Sequence, residues 1–313
     1  MKKILVVNSF GIGNTVTKLP MLNLLLQMGV EITIVEEPEA ANVIRFFNSD
    51  LEAYIYPKED LDNLAKWADY IIITSPAKRF GIEQEYAHKR IKYTPNGGSG
   101  IWNISEVYAN VLSVVKLAYT VNYQGSFSPL IKFTDRQFSK EKNSIGIHTG
   151  CLPNWPMKRW SAKKWSNLIE ELKDSWYQIK LFGLDSDFVD NNGVSLLELG
   201  DYSKYRIQAK TRTELFDQIS QCEWFISSDS GLGKISAATD CKTIQLFGPT
   251  DTVKNSLGNG VNLIKGISCS PCQYDKHRLS SCGNRRCMDF TVSNVLEAME
   301  NYDSISGEHF YKV

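Results

Sequence analysis

Apolar residues fall in short runs that end in turn residues, and the spacing between runs alternates between strand-like and helix-like along the chain. "KILVVN" (3 to 8) is continuously apolar, the pattern of a strand buried on both faces of a parallel sheet. "VTKLPMLNLLLQMG" (16 to 29) then carries helical apolar spacing, and "VEITIVEE" (30 to 37) restores a strand. Together they predict a βαβ opening. The helix-like "KEDLDNLAKWA" leads into another buried strand, "DYIIITSP" (69 to 76), and 101 to 118 reads as a further amphipathic segment. The first half is therefore alternating α/β.

A polar stretch, "FTDRQFSKEKNS" (133 to 144), interrupts the pattern, which then resumes. "IGIHTG", "YQIKLFG", "WFISSDSG" and "KTIQLFGPT" are short apolar runs, and helical candidates lie between them at 161 to 176, 211 to 222 and 233 to 240. The reading is two doubly wound domains, 1–140 and 141–313. Ligands of such sheets sit beyond the carboxyl ends of the strands, where loops enter helices.

Composition narrows the function classes. The chain has 313 residues, enough for two domains of roughly 150 each. Lys plus Arg equals Asp plus Glu, 35 against 35, so no global field attracts nucleic acid. No apolar run approaches the ~18 residues of a membrane span, and the N-terminal apolar run is too short for a signal segment. The expectation is a cytoplasmic protein. Cys151, Cys222 and Cys241 lie in or beside apolar segments, as core thiols do, and a secreted disulfide framework is not expected.

The chemistry-bearing residues collect at the strand ends. After the first strand, Gly11, Gly13 and Asn14 form a loop into a helix N-terminus, which offers backbone N–H groups to an anion. Glu36 and Glu37 end the second strand, where a dinucleotide-binding fold keeps its ribose acid, so an NAD-dependent oxidoreductase is an admissible rival. His148 and Gly150 end a strand ahead of "CLPNWPMKRW", where Lys158 and Arg159 suit phosphate oxygens, unless they are solvated bases beside packed tryptophans. Asp185 stands beyond the next strand as a ribose acceptor or a turn residue. Asp229, Ser230 and Gly231 join a strand to a helix, with Lys234 in its first turn, and Thr250 repeats the geometry one strand later. Cys269, Cys272, Cys282 and Cys287 are spaced C-x2-C-x9-C-x4-C, open to a structural zinc or iron site, to disulfides or to free thiols.

Taken in order, "GIGNTVTKLPMLNLL", "IGIHTG…KRW", "LFG", "ISSDSGLGKISAA", "LFGPTD" and the "CSPC…CM" tail resemble glycosyltransferase family nine, the heptosyltransferases. The resemblance implies a GT-B fold: two Rossmann-like domains facing across a cleft, acceptor on the first and nucleotide-sugar donor on the second. It also implies inverting, cofactor-independent transfer to a glycan or lipid-linked acceptor, peripheral rather than membrane-spanning, and a C-terminal helix that packs back on the first domain. Lys158 matches the lysine that neutralises the donor phosphates, Asp185 an acid near the ribose, and Asp229, Ser230 and Gly231 the diphosphate-facing strand end.

Two departures stand out. Where the family has Gly-Asp with a proposed base, this chain has Gly13-Asn14, and an amide takes no proton at neutral pH, so His148 or another carboxylate would have to serve. Where the family commonly has histidine, this chain has Lys234. Both changes also fit a non-catalytic relative that binds a nucleotide sugar without transferring it.

Overall fold

A computed structural model describes residues 1–8, 11–51, 53–55, 58–74, 82, 84–91, 104–127, 132–307 and 310–313. The chain divides into two compact units, the first formed by Met1–Asn96 and Glu106–Gln137 and the second built on Phe138–Val313. No described helix is long and apolar enough to cross a membrane.

The first unit runs β1 (Lys3–Val7), α1 (Ile12–Val16), α2 (Leu19–Gln27), β2 (Glu31–Glu36), α3 (Pro38–Phe47), β3 (Ala53–Ile55), α4 (Lys58–Trp67), β4 (Tyr70–Ile73), β5 (Arg90–Ile91) and α5 (Glu106–Thr120). Among the described residues its sheet is parallel, in the order β3-β2-β1-β4-β5. Alternate residues of β1 serve opposite cores, as period two requires. Ile4 and Val6 pack with Met21, Leu25 and Leu117, whereas Leu5 and Val7 pack with Leu61 and Ala65.

The helix expected over 16 to 29 is divided: α1 ends at Val16 and α2 restarts at Leu19. Pro20 explains the restart, because a proline lacks the N–H of a helix interior but suits a first turn. Pro38 opens α3 in the same way, a helix that apolar spacing alone did not single out.

The second unit runs β6 (Glu141–His148), α6 (Ala162–Asp174), β7 (Gln178–Leu181), α7 (Arg212–Ser220), β8 (Cys222–Ser228), α8 (Gly231–Ala238), β9 (Lys242–Phe247), α9 (Thr252–Asn255), β10 (Val261–Ile264), α10 (Lys276–Ser281), α11 (Val292–Glu300), α12 (Tyr302–Ile305) and β11 (Tyr311–Lys312). Its described sheet is parallel in the order β11-β10-β9-β8-β6-β7, and a single parallel bridge, Leu181 to Arg206, continues it beyond β7. Strand order thus reverses between β6 and β8, the position where open α/β sheets bind ligands.

Val295 and Ala298 of α11 are wholly buried in the second unit's own core with Trp160, Trp165 and Phe290, and β11 pairs with β10. The apolar stripe of α11 thus contributes to the second unit's core.

In the first unit the reversal lies between β1 and β4, and there the structure is closed by polar packing. Asn8 donates its side-chain N–H to Glu36, and the Thr74 hydroxyl donates to Asn8 at 2.8 Å. Glu36 and Lys18 are almost completely buried. Burial pushes the Glu36 carboxyl from 4.5 up to about 7, against the opposing pull of Lys18, the Glu37 amide and Asn8. The native state therefore keeps this proton up to about pH 7, while the unfolded chain releases it near pH 4.5, so the group's contribution to stability declines as pH rises across that interval. Glu36→Gln is expected to remove this decline, so that its unfolding free energy changes less than the wild type's between about pH 4.5 and about pH 7, read from urea denaturation at several pH values.

Candidate functional site

The residues singled out in the second half converge on the ends of β6, β8 and β9. β6 finishes at His148, in register with Ser227 of β8, and both strands stop at the reversal. Ser230 then caps α8, its hydroxyl accepting the Gly233 N–H at 3.2 Å. Other amides of that first turn have no acceptor within the helix, and the helix dipole adds a partial positive charge.

Asp229 organises the charges. Its carboxylate is buried and accepts a hydrogen bond from Lys158 Nζ at 2.7 Å and another from the Thr250 hydroxyl at 2.8 Å. Burial alone would push this carboxyl up, but Lys158, Lys234 and the two hydrogen bonds outweigh it and hold it below the ordinary value of 3.8. Lys234 is itself buried, so it acts on Asp229 through its field within the first turn of α8. The Lys158 amine lies over the Trp155 ring, 5.1 Å from its centroid, and the stem keeps some exposure. Immediately around Asp229, one carboxylate faces two ammonium groups, a local excess of positive charge that suits an anionic ligand.

His148 is buried, with Nδ1 3.0 Å from Ser230 Oγ and Nε2 3.8 Å from Asp187 Oδ2. The second distance is an ionic contact, too long for a good hydrogen bond. Gly150 is needed here because a Cβ would fall on the Asp187 carboxylate. Thr149 ties the same turn down by donating to the Asp187 carbonyl at 2.7 Å. Burial opposes ionisation of Asp187, but His148, the Leu184 amide and Arg159 hold its carboxyl below the usual value.

Asp187 is the site residue that sequence reasoning passed over. "LDSD" offered two aspartates, and only the turn over Asp185–Phe188 decides which faces inward. Asp185, the one selected, is largely exposed and pairs with Arg206 at 2.6 Å. Arg159 is also used differently: it is mostly buried, and its guanidinium donates to the carbonyls of Ser186 and Val189, bracing the turn. Trp160 belongs to the core, donating its indole N–H to the Phe290 carbonyl at 3.1 Å.

In the first unit, Gly11 has φ 55° and opens α1, and Gly13 and Asn14 are half-buried on its first turn. The side chain of Asn14 has no hydrogen-bond partner among the described residues, while its carbonyl accepts from Thr17 at 2.6 Å. The NAD reading loses one of its two candidate acids: Glu36 is enclosed with Asn8 and Lys18 and presents nothing to a ribose, whereas Glu37 is half-buried.

The cysteine loop does not close a metal site: among the described residues no group of three His, Cys, Asp or Glu side chains is placed to hold an ion. Cys287 is buried beside Gly248, whereas Cys269, Cys272 and Cys282 are half-buried. The four remain within electrostatic reach, since burial first and then the other three thiols push Cys287 up to about 12. Cys272 and Gln273 donate their amides to the Pro249 carbonyl, at 2.9 and 3.0 Å, so the loop braces the turn that carries Thr250.

Two parallel-sheet α/β units, each with a strand reversal, define a GT-B fold. Residues 111–282 match the model of glycosyltransferase family 9 (heptosyltransferase), and the chain belongs to that family. Lipopolysaccharide heptosyltransferase 2 of Salmonella typhimurium is 28% identical over 181 residues, 56% of this chain and 51% of that protein. The chain thus spans about half the length of the curated relatives it matches. Among solved structures, a family 9 glycosyl transferase from Veillonella parvula superposes with a TM-score of 0.71 at 15% identity, covering 96% of each chain. The E. coli ADP-heptose lipopolysaccharide heptosyltransferase II gives 0.69 at 17%, covering 96% of this chain and 98% of that one.

Asp229→Ala should leave Lys158 and Lys234 without their shared counter-charge and cost about 3 kcal/mol near neutral pH. Because the folded-state value lies below 3.8, the wild-type advantage is present above that pH and should vanish as pH falls through the folded value. Urea denaturation of both proteins across the acid range checks the size and the sign.

Proposed function

We propose that the protein is an inverting glycosyltransferase that moves a sugar from a nucleoside-diphosphate donor to a glycan or lipid-linked acceptor in lipopolysaccharide synthesis. The donor that best fits membership of a heptosyltransferase family is ADP-heptose. The observation that carries the reading is the Lys158–Asp229–Thr250 cluster beside the capped start of α8.

Breaking the glycosidic bond sends negative charge onto the leaving diphosphate. An ammonium has three N–H donors; Asp229 Oδ2 takes one of those of Lys158 at 2.7 Å and the Asp229 carbonyl accepts a second, longer one at 3.5 Å, so a third remains for a phosphate oxygen. Such preset donors stabilise the charge as it develops without having to reorganise. Lys158 and Lys234 supply the positive charge that a metal ion would otherwise bring, so no cofactor is required for this chemistry. Asp229 acts by holding Lys158 and Thr250 in place.

On the acceptor side, Asn14 offers a hydrogen bond to the attacking hydroxyl and no base. His148, considered as a substitute base, has both ring nitrogens turned to Ser230 and Asp187 and serves the donor side in this reading. Catalysis would take place in the cytoplasm, with peripheral contact at the inner membrane where a lipid-linked acceptor resides.

A thermal-shift panel of ADP-, GDP- and UDP-sugars tests the assignment. ADP-heptose is expected to raise Tm, and Lys158→Ala should weaken its binding about tenfold or more and abolish sugar transfer. Indifference to every nucleotide sugar would count against the proposal, while binding without transfer to any glycan acceptor would identify a non-catalytic relative.

A further inference from the structure

We propose that His148 reverses the hydrogen bond it shares with Ser230 when a nucleoside diphosphate binds at the start of α8, taking up a proton and releasing the Ser230 hydroxyl to donate to phosphate. The inference rests on the donor reading above and assigns Asp187, His148 and Ser230 a joint role. Ser230 would be the residue that touches ligand, and His148 and Asp187 would be positioning residues.

The argument is a count of hydrogens. A serine hydroxyl has one proton and two lone pairs. One lone pair of Ser230 Oγ is taken by the Gly233 N–H. The Asp187 carboxylate lies 3.8 Å from Nε2 of His148, and its negative charge repels a lone pair there and attracts an N–H, which favours the neutral tautomer with the proton on Nε2. Nδ1 is then a bare acceptor 3.0 Å from Ser230 Oγ, and the hydroxyl must donate to it. In that arrangement Ser230 has only a lone pair left to face a ligand, and a lone pair repels phosphate.

Protonation reverses the pairing. The imidazolium donates from both nitrogens, Nδ1–H to Ser230 Oγ and Nε2–H towards Asp187, and the serine proton becomes free to meet an anion. The proton comes from solvent, and no covalent bond changes partners. Asp187 supplies the counter-charge that a buried imidazolium needs.

The fold holds these atoms in place. Absence of a side chain at Gly150 makes room for the Asp187 carboxylate, Thr149 donates to the Asp187 carbonyl, and Ser230 is pinned as the cap of α8. The other charged groups on the surrounding elements are Arg159, 4.0 Å from the second oxygen of Asp187, and the cluster of Lys158, Lys234 and Asp229. A bound diphosphate would add negative charge beside these groups, and that charge favours an imidazolium at His148.

Calorimetric titration of ADP at about pH 8, in two buffers of different ionisation enthalpy, measures the protons taken up on binding; the free phosphate is already deprotonated there. The wild type should take up a substantial fraction of one proton. His148→Gln should take up none, and Ser230→Ala should take up less and bind about tenfold more weakly. Asp187→Asn, which keeps the size of the side chain, should also reduce the uptake. ADP binding with the same proton count in the wild type, His148→Gln and Ser230→Ala would overturn the relay and leave the donor reading intact. Failure of ADP, GDP and UDP alike to bind the wild type would overturn the donor reading and the relay together.

Discussion

The second unit is arranged around a carboxylate that could not stay buried alone. Asp229 lies at the end of β8, out of solvent, and an ionised group there costs several kcal/mol unless it is paired and hydrogen-bonded. Its partners come from different places in the chain: Lys158 from the loop after β6, Thr250 from the turn after β9, and Lys234 from α8. Satisfying one charge therefore fixes the relative positions of several loops. The brace extends outward, because Gln273 accepts from the Asp251 amide and Asn255, and the Tyr274 hydroxyl donates to Asp251. The first part of the cysteine loop thereby supports the turn that carries Thr250, whatever the state of its thiols.

The two units use their strand reversals differently. In the first, Asn8, Thr74, Glu36 and Lys18 fill the position with side chains that satisfy one another. In the second, Gly150 leaves room for the Asp187 carboxylate, and Lys158, the cap serine Ser230 and His148 stand at the neighbouring strand ends. A parallel sheet with a strand reversal thus carries a closed polar cluster in one unit and a cluster of lysine, serine and histidine in the other. The difference lies in residue size and charge at a few strand-end positions, since both sheets are parallel and both have a reversal.

Much of this was legible in the residues. The run at 3 to 8 identified a buried parallel strand because burial on both faces leaves no polar alternation, and the shorter runs at 145 to 150, 224 to 228 and 242 to 247 were marked by the turn residues that follow them. Lys158, Asp229, Ser230 and Thr250 stood out because the ends of parallel strands converge on one edge of their sheet. Less legible were the short elements. α3 has too few turns for its spacing to stand out, and the break between α1 and α2 depends on Pro20 entering a first turn.

What the amino-acid order determined was the fold and which residues gather at the strand ends of the second unit, since period, turn residues and strand-end chemistry are local properties. Tertiary structure alone decided which of two equivalent aspartates, Asp185 or Asp187, turned inward, that Glu36 was enclosed, that Arg159 braced a turn, and that Val295 and Ala298 entered the second unit's core. Each of these depends on the burial and partner of a side chain, and those are set by residues far away in sequence whose approach no local pattern encodes.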